Sequence, residues 1–116
     1  MRTVPTLAQR LEAALRPVDR ELEKHAEKAL RTCTLLLGGL CFKLTFLGVA
    51  GAPDRILFMP GGRLIFVELK KPGGKLEASQ KVMFPKLERL GFTVHVVVGI
   101  DGVRRFVHET LIQRHF

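Results

Sequence analysis

Two apolar runs rich in β-favouring residues, Arg63 to Lys70 and Phe92 to Val98, are separated by a stretch of helical periodicity, Glu77 to Leu90. A strand that follows a crossover helix, as Phe92 to Val98 does, should lie parallel to an earlier strand. Before this unit, Asp54 to Met59 and Arg63 to Lys70 flank Pro60-Gly-Gly62, a tight turn that pairs them antiparallel. The chain must therefore build a mixed sheet with helices on both faces. Phe92 to Val98, nearly continuous in valine, reads as a strand buried on both sides.

The flanks complete the pattern. Thr6-Leu-Ala-Gln9 has the form of a capping box, opening a short helix with Leu7, Leu11 and Leu15 on one stripe, which Pro17 ends. Asp19 is placed to cap a longer helix, with Leu22, Ala26, Ala29, Leu30, Cys33 and Leu37 at helical spacing, and Gly38-Gly39 stops it. Leu40 to Phe46 reads as a strand and Leu47 to Pro53 as a loop. Pro85 is expected to kink the helix over 77–90, and Gly91 closes it. Gly99 to Gly102 reads as a turn, and Val103 to Phe116 as a weak strand or a final helix. The predicted order is α-α-β-β-β-α-β-(α/β), with no internal repeat or linker, and 116 residues suit one domain, 1–116.

Composition narrows the partners. Nineteen Lys and Arg against eleven Asp and Glu leave +8, which favours polyanions, nucleic acid first among them. Trp and Tyr are absent, so the usual base-stacking platforms for single strands or RNA are missing and recognition of a duplex backbone by charge and shape fits better. Cys33 and Cys41 lack metal-ligand spacing and read as buried reduced thiols; His25, His95, His108 and His115 give no zinc pattern. His95, inside a strand, reads as a core residue. No secretory signal opens the chain, and the longest apolar stretch, Leu35 to Ala50, contains Lys43 and two glycines. A cytoplasmic protein with no membrane partner and no small-molecule cofactor is expected. The Pro-Gly-Gly-Lys run ending at Lys75 lacks the spacing of a phosphate-binding P-loop and reads as a mobile loop over the nucleic acid.

Strand alternation then singles out a chemical cluster. In Leu64-Ile-Phe-Val-Glu-Leu-Lys70, Glu68 and Lys70 share a face, roughly 6.6 to 7 Å apart along the strand. The hairpin returns Asp54, fourteen positions earlier, to the same end of the sheet. Two carboxylates and an ammonium suit a hard divalent cation acting on a phosphodiester, with the lysine orienting water or neutralising developing charge. The plainer alternative is a rim salt bridge between Glu68 and Lys70, with Asp54 a turn residue after Pro53. Lys43, Arg55, Lys71, Lys75 and Lys81 lie next to these residues in sequence and are candidate DNA-phosphate contacts.

Gly51-Ala-Pro-Asp-Arg55, Gly61-Gly62, Phe66-Val-Glu-Leu-Lys70, Gly74-Lys75, Gln80 and Leu90-Gly-Phe92 stand in an order and spacing that resembles the VRR-NUC (virus-type replication-repair nuclease) domain. That domain belongs to the PD-(D/E)XK superfamily, and the likeness is to the short stand-alone members of phages and prophages. It spans Glu23 to Phe106, leaving residues 1–18 as an additional N-terminal helix. The resemblance implies a restriction-endonuclease-like α/β fold and a Mg²⁺- or Mn²⁺-dependent DNA endonuclease. Asp54 and Glu68 then supply metal ligands with the carbonyl of Leu69, Lys70 is the catalytic lysine, and Gln80 supports the site or touches phosphate. A glutamate on the preceding helix completes such sites: family spacing favours Glu27, whereas helical periodicity brings Glu23 nearer the apolar stripe. The resemblance further implies a homodimer acting on duplex or branched DNA, Holliday junctions foremost, in a bacterial or phage-infected cell. A nuclease for flaps, nicks or restriction-like sites, and a catalytically silent DNA-binding module, are the alternatives.

Overall fold

Capping chemistry starts the chain, and a hairpin with a crossover helix fixes its centre. The computed structural model describes residues 3–18 and 23–112. The Thr6 hydroxyl accepts from the Gln9 N–H at 3.1 Å, and the Gln9 side chain accepts from the Thr6 N–H at 2.8 Å, opening α1 (Leu7–Ala14). Leu11 and Leu15 enter the core while Leu7 stays half exposed, a narrower stripe than the leucine spacing suggests. Helix α2 (Glu23–Leu36) buries Ala26, Ala29, Leu30 and Cys33 on one side. Asp19 and Leu22 lie outside the described residues. Gly38, at φ 87°, turns the chain out of α2 and into the sheet.

The sheet has the order β1-β2-β3-β4, formed by Leu40–Lys43, Arg55–Met59, Arg63–Lys70 and Val94–Val98. The first three strands are antiparallel neighbours and β4 runs parallel to β3, as the intervening helix demands. Strand β1 is shorter than expected: its last tie is the Leu44 N–H to the Asp54 carbonyl at 2.9 Å, and Thr45 and Phe46 leave the sheet. Helix α2 and a later helix, α4 (Gly99–Phe106), cover one face over Leu57, Ile65, Val67, Leu69 and Val97. Helix α3 (Ala78–Arg89) covers part of the other over Ile56, Phe66 and Val94. It continues as helix through Pro85.

Two expectations are corrected. Strand β4 is not buried on both faces: Val96 and Val98 are 45% and 41% exposed. It is the edge of the sheet, and the α3-side cluster of Phe66 and Phe84 reaches Val94 and no further. The segment Gly99 to Gly102 is not a free turn but the start of α4 (Gly99–Phe106), which a π-helical turn, Val107–Leu111, extends. Ile100, Val103, Phe106, Val107 and Leu111 recur at helical spacing and are all buried. Among the described residues no helix is long and apolar enough to cross a membrane.

Candidate functional site

Register alone brings Asp54 and Glu68 together. Arg55 pairs with Val67, so the residue before one lies beside the residue after the other. Two reciprocal hydrogen bonds lock them. The Asp54 N–H donates to Glu68 Oε1 at 2.9 Å, and the Leu69 N–H donates to Asp54 Oδ1 at 3.1 Å. Each acid is thus oriented by the main chain of the opposite strand. Lys70 Nζ lies 3.1 Å from Glu68 Oε2. The face carrying Ile65, Val67 and Leu69 packs into the core, which leaves Glu68 and Lys70 facing the other way, as alternation predicts.

The electrostatics of this trio are unbalanced. Glu68 is 3% exposed, where a charge is costly without a partner, and Lys70 supplies one. Asp54 enters no ion pair among the described residues. Burial, with the Glu68 charge adding to it, pushes its carboxyl up to about 6, against the opposing Leu69 hydrogen bond and the charges of Arg55 and Lys70. The site is short of positive charge by about one unit. A hard divalent cation fits such a donor set, since Mg²⁺ is commonly held by one or two carboxylates with waters and substrate phosphate making up the rest. Asp54 and Glu68 are the side chains that would hold it, with Leu69 on the same groove. Among the described residues no third Asp, Glu, His or Cys joins them in a metal-holding group.

The groove over this pair, about 330 Å³, is lined by Asp54, Glu68, Leu69, Lys70, Lys71, Gly74 and Lys75. Lys71 and Lys75 therefore stand where sequence reasoning expected them. Lys43 and Lys81 are exposed, one ending β1 and the other in the first turn of α3, and neither lines the groove. Gln80 is buried, and its Oε1 accepts the Glu77 N–H at 3.0 Å. That oxygen closes the start of α3, against which Gly51 sits so tightly that a Cβ there would collide with the Ser79 carbonyl.

Arg55 is placed otherwise than a phosphate contact. Alternation sends it to the face opposite Asp54, where it is 8% exposed. Its guanidinium donates to the Asp54 carbonyl at 2.9 Å and pairs with Glu27 at 3.0 Å. Glu27 is thus engaged by Arg55 rather than grouped with Asp54 and Glu68. The side chain of Glu23, its rival for the ligand position, lies outside what the structure describes. Sequence reasoning passed over the basic stripe on α2, Lys24, Lys28 and Arg31, although its i, i+4, i+7 spacing was there to read.

Size does not mark this site. A larger groove, about 460 Å³, runs along β4 beside α4 and shares no lining residue with it. No protein-family model matches the chain. A curated relative, described as a candidate nuclease, p44, of Acyrthosiphon pisum secondary endosymbiont phage 1, is 37% identical over 81 residues, covering 70% of this chain and 80% of the relative. A solved structure described as a VRR_NUC domain superposes with a TM-score of 0.71 at 29% identity, over 76% of this chain and 96% of its own.

Proposed function

The chain belongs to the VRR-NUC family, and from that premise we propose that it is a divalent-metal-dependent endonuclease hydrolysing DNA phosphodiesters at Asp54, Glu68 and Lys70. The observation that carries this reading is the reciprocal lock of Asp54 and Glu68, a half-buried and a buried acid held side by side, with the one ammonium, Lys70, at Glu68. When bound, Mg²⁺ or Mn²⁺ supplies Lewis-acid polarisation of the phosphodiester and neutralises charge on its oxygens. Asp54 and Glu68 would hold that ion, and their fixed geometry would avoid reorganisation during the reaction. Lys70 sits at Glu68 with its remaining N–H groups available to orient a water or a phosphate oxygen. Lys71 and Lys75 supply non-specific attraction for the backbone on the same groove. Gln80 acts on the site from the start of α3, by fixing the helix against the Gly51 to Asp54 loop rather than by touching phosphate.

On this reading residues 1–116 act as one nuclease domain, in the cytoplasm where DNA is met. A homodimer selective for branched DNA, Holliday junctions first, follows from the need for two sites to cut two strands, because each chain carries one acidic pair. A row of half-exposed apolar residues without charge, Leu40, Phe58 and Leu64 with Phe42 beside them, supports a two-fold contact at the sheet end remote from the site.

The test offers labelled four-way junction, flap, nicked, linear duplex and single-stranded DNA with Mg²⁺, Mn²⁺ or chelator. Metal-dependent cutting with the junction preferred is expected. Equal cutting of all five removes branch selectivity, and no cutting with either metal removes the enzyme. Solution mass decides the dimer, since a strict monomer contradicts it.

A further inference from the structure

We propose that Lys24, Lys28 and Arg31, on the face of the sheet opposite the acidic pair, form a second phosphate track for the DNA being cut. The proposal rests on the reading above in one respect, that the substrate is DNA. The three side chains recur at i, i+4 and i+7 on α2, all are exposed, and Ala26, Ala29, Leu30 and Cys33 bury the other side of the helix. With Glu27 they line a groove of about 450 Å³.

A carboxylate in that stripe ought to cancel part of its attraction for phosphate. Glu27 does not, because the buried Arg55 guanidinium already pairs with it at 3.0 Å. Lys24, Lys28 and Arg31 enter no ion pair among the described residues, so among those residues the stripe presents three positive charges, and its one carboxylate, Glu27, is already paired. Position supports the same use. The Gly38-Gly39 turn leads α2 into β1 at the far end of the sheet, so the first turns of α2 lie at the near end, where β2 begins beside Asp54. Arg55 ties α2 to the start of β2 there, donating to the Asp54 carbonyl and pairing with Glu27.

Two basic surfaces consequently flank the same sheet end: Lys70, Lys71 and Lys75 on one face, and Lys24, Lys28 and Arg31 across the helix on the other. The sheet and helix α2 together separate them. A duplex docked across that sheet end can therefore meet both rows, one of them beside the acidic pair.

The experiment measures binding of a fluorescein-labelled duplex by anisotropy, in chelator so that nothing is cut, across KCl concentrations from about 50 to 200 mM. The triple variant Lys24→Ala, Lys28→Ala, Arg31→Ala is expected to lower the slope of log K against log salt by about 2 to 3, at about 0.9 per lost phosphate contact. The charge-keeping variant Lys24→Arg, Lys28→Arg, Arg31→Lys should keep the slope, and a single-stranded oligonucleotide should feel the triple alanine change less than the duplex. An unchanged slope in the alanine variant overturns the track, as does an equal loss in the charge-keeping variant. The two readings fail separately. A wild type that binds with this slope and never cuts refutes the nuclease alone, whereas one that cuts while the alanine variant keeps its slope refutes the track alone.

Discussion

Two cation–carboxylate pairs stand on opposite faces at the start of β2, and only one of them has a second, unmatched acid beside it. Lys70 lies 3.1 Å from Glu68 on one face; Arg55 lies 3.0 Å from Glu27 on the other. The distances are alike and the surroundings are not. Beside Lys70 a second acid, Asp54, has its carboxyl pushed up to about 6, and a groove opens over it. Beside Arg55 the charges match one to one, and the guanidinium donates its other hydrogen bond to the Asp54 carbonyl. A buried ion pair is structural when its charges close, and becomes a binding site when an unmatched acid leaves it short of a cation.

That comparison can be broken from either side. The largest effect is expected at the unbalanced pair. Glu68→Gln and Lys70→Ala should each lower cleavage by about 10²–10⁴-fold, measured in single turnover on labelled DNA, while Arg55→Lys should lower it far less. A comparable loss for Arg55→Lys would erase the distinction. Next comes stability at the balanced pair. Glu27→Gln leaves a buried guanidinium with only a carbonyl, and should destabilise the fold by about 1–3 kcal/mol, discounted because Glu27 is partly exposed. Denaturant unfolding reads this, and a neutral outcome would show that the pair contributes nothing.

A smaller effect separates the two pairs by pH. Asp54 titrates at about 6 in the folded chain against an ordinary 3.8, so the native state binds the proton more tightly than the unfolded one. Its contribution to stability is full below about 3.8 and is lost as pH rises through about 6. Without metal, Asp54→Asn should therefore gain on the wild type in thermal unfolding between pH 4 and pH 7, and a pH-independent difference would contradict the assignment. The smallest effect concerns the rim. Lys71→Ala or Lys75→Ala should each reduce the salt slope of duplex binding by about 1; no change in either would remove them from the DNA surface.

Much of this contrast was legible in the sequence, and the illegible part has a cause. The Pro60-Gly-Gly62 turn fixes the β2–β3 register, and register fixes Asp54 beside Glu68. Strand period then separates Arg55 from Asp54, but period does not say which helix covers Arg55. The Glu27 contact depends on how α2 lies on the sheet, so Arg55 read as a phosphate contact. Strand β4 looked doubly buried because a valine run carries no mark of an edge position. Gly102 looked like part of a turn for want of a side chain. In the fold it serves close packing inside α4, where a Cβ would come within 3.3 Å of the Val97 backbone. Gln80, placed correctly at the start of α3, proved to hold a helix cap that no spacing rule distinguishes from a phosphate contact.

The most direct test is single-turnover cleavage of a labelled DNA duplex and junction over rising Mg²⁺ or Mn²⁺, with wild type and Asp54→Asn side by side. The acidic pair predicts metal-dependent cutting that chelator abolishes and that the asparagine variant lacks at every metal concentration, while still binding DNA. Cutting by Asp54→Asn at the wild-type rate, or by the wild type in chelator, would contradict it.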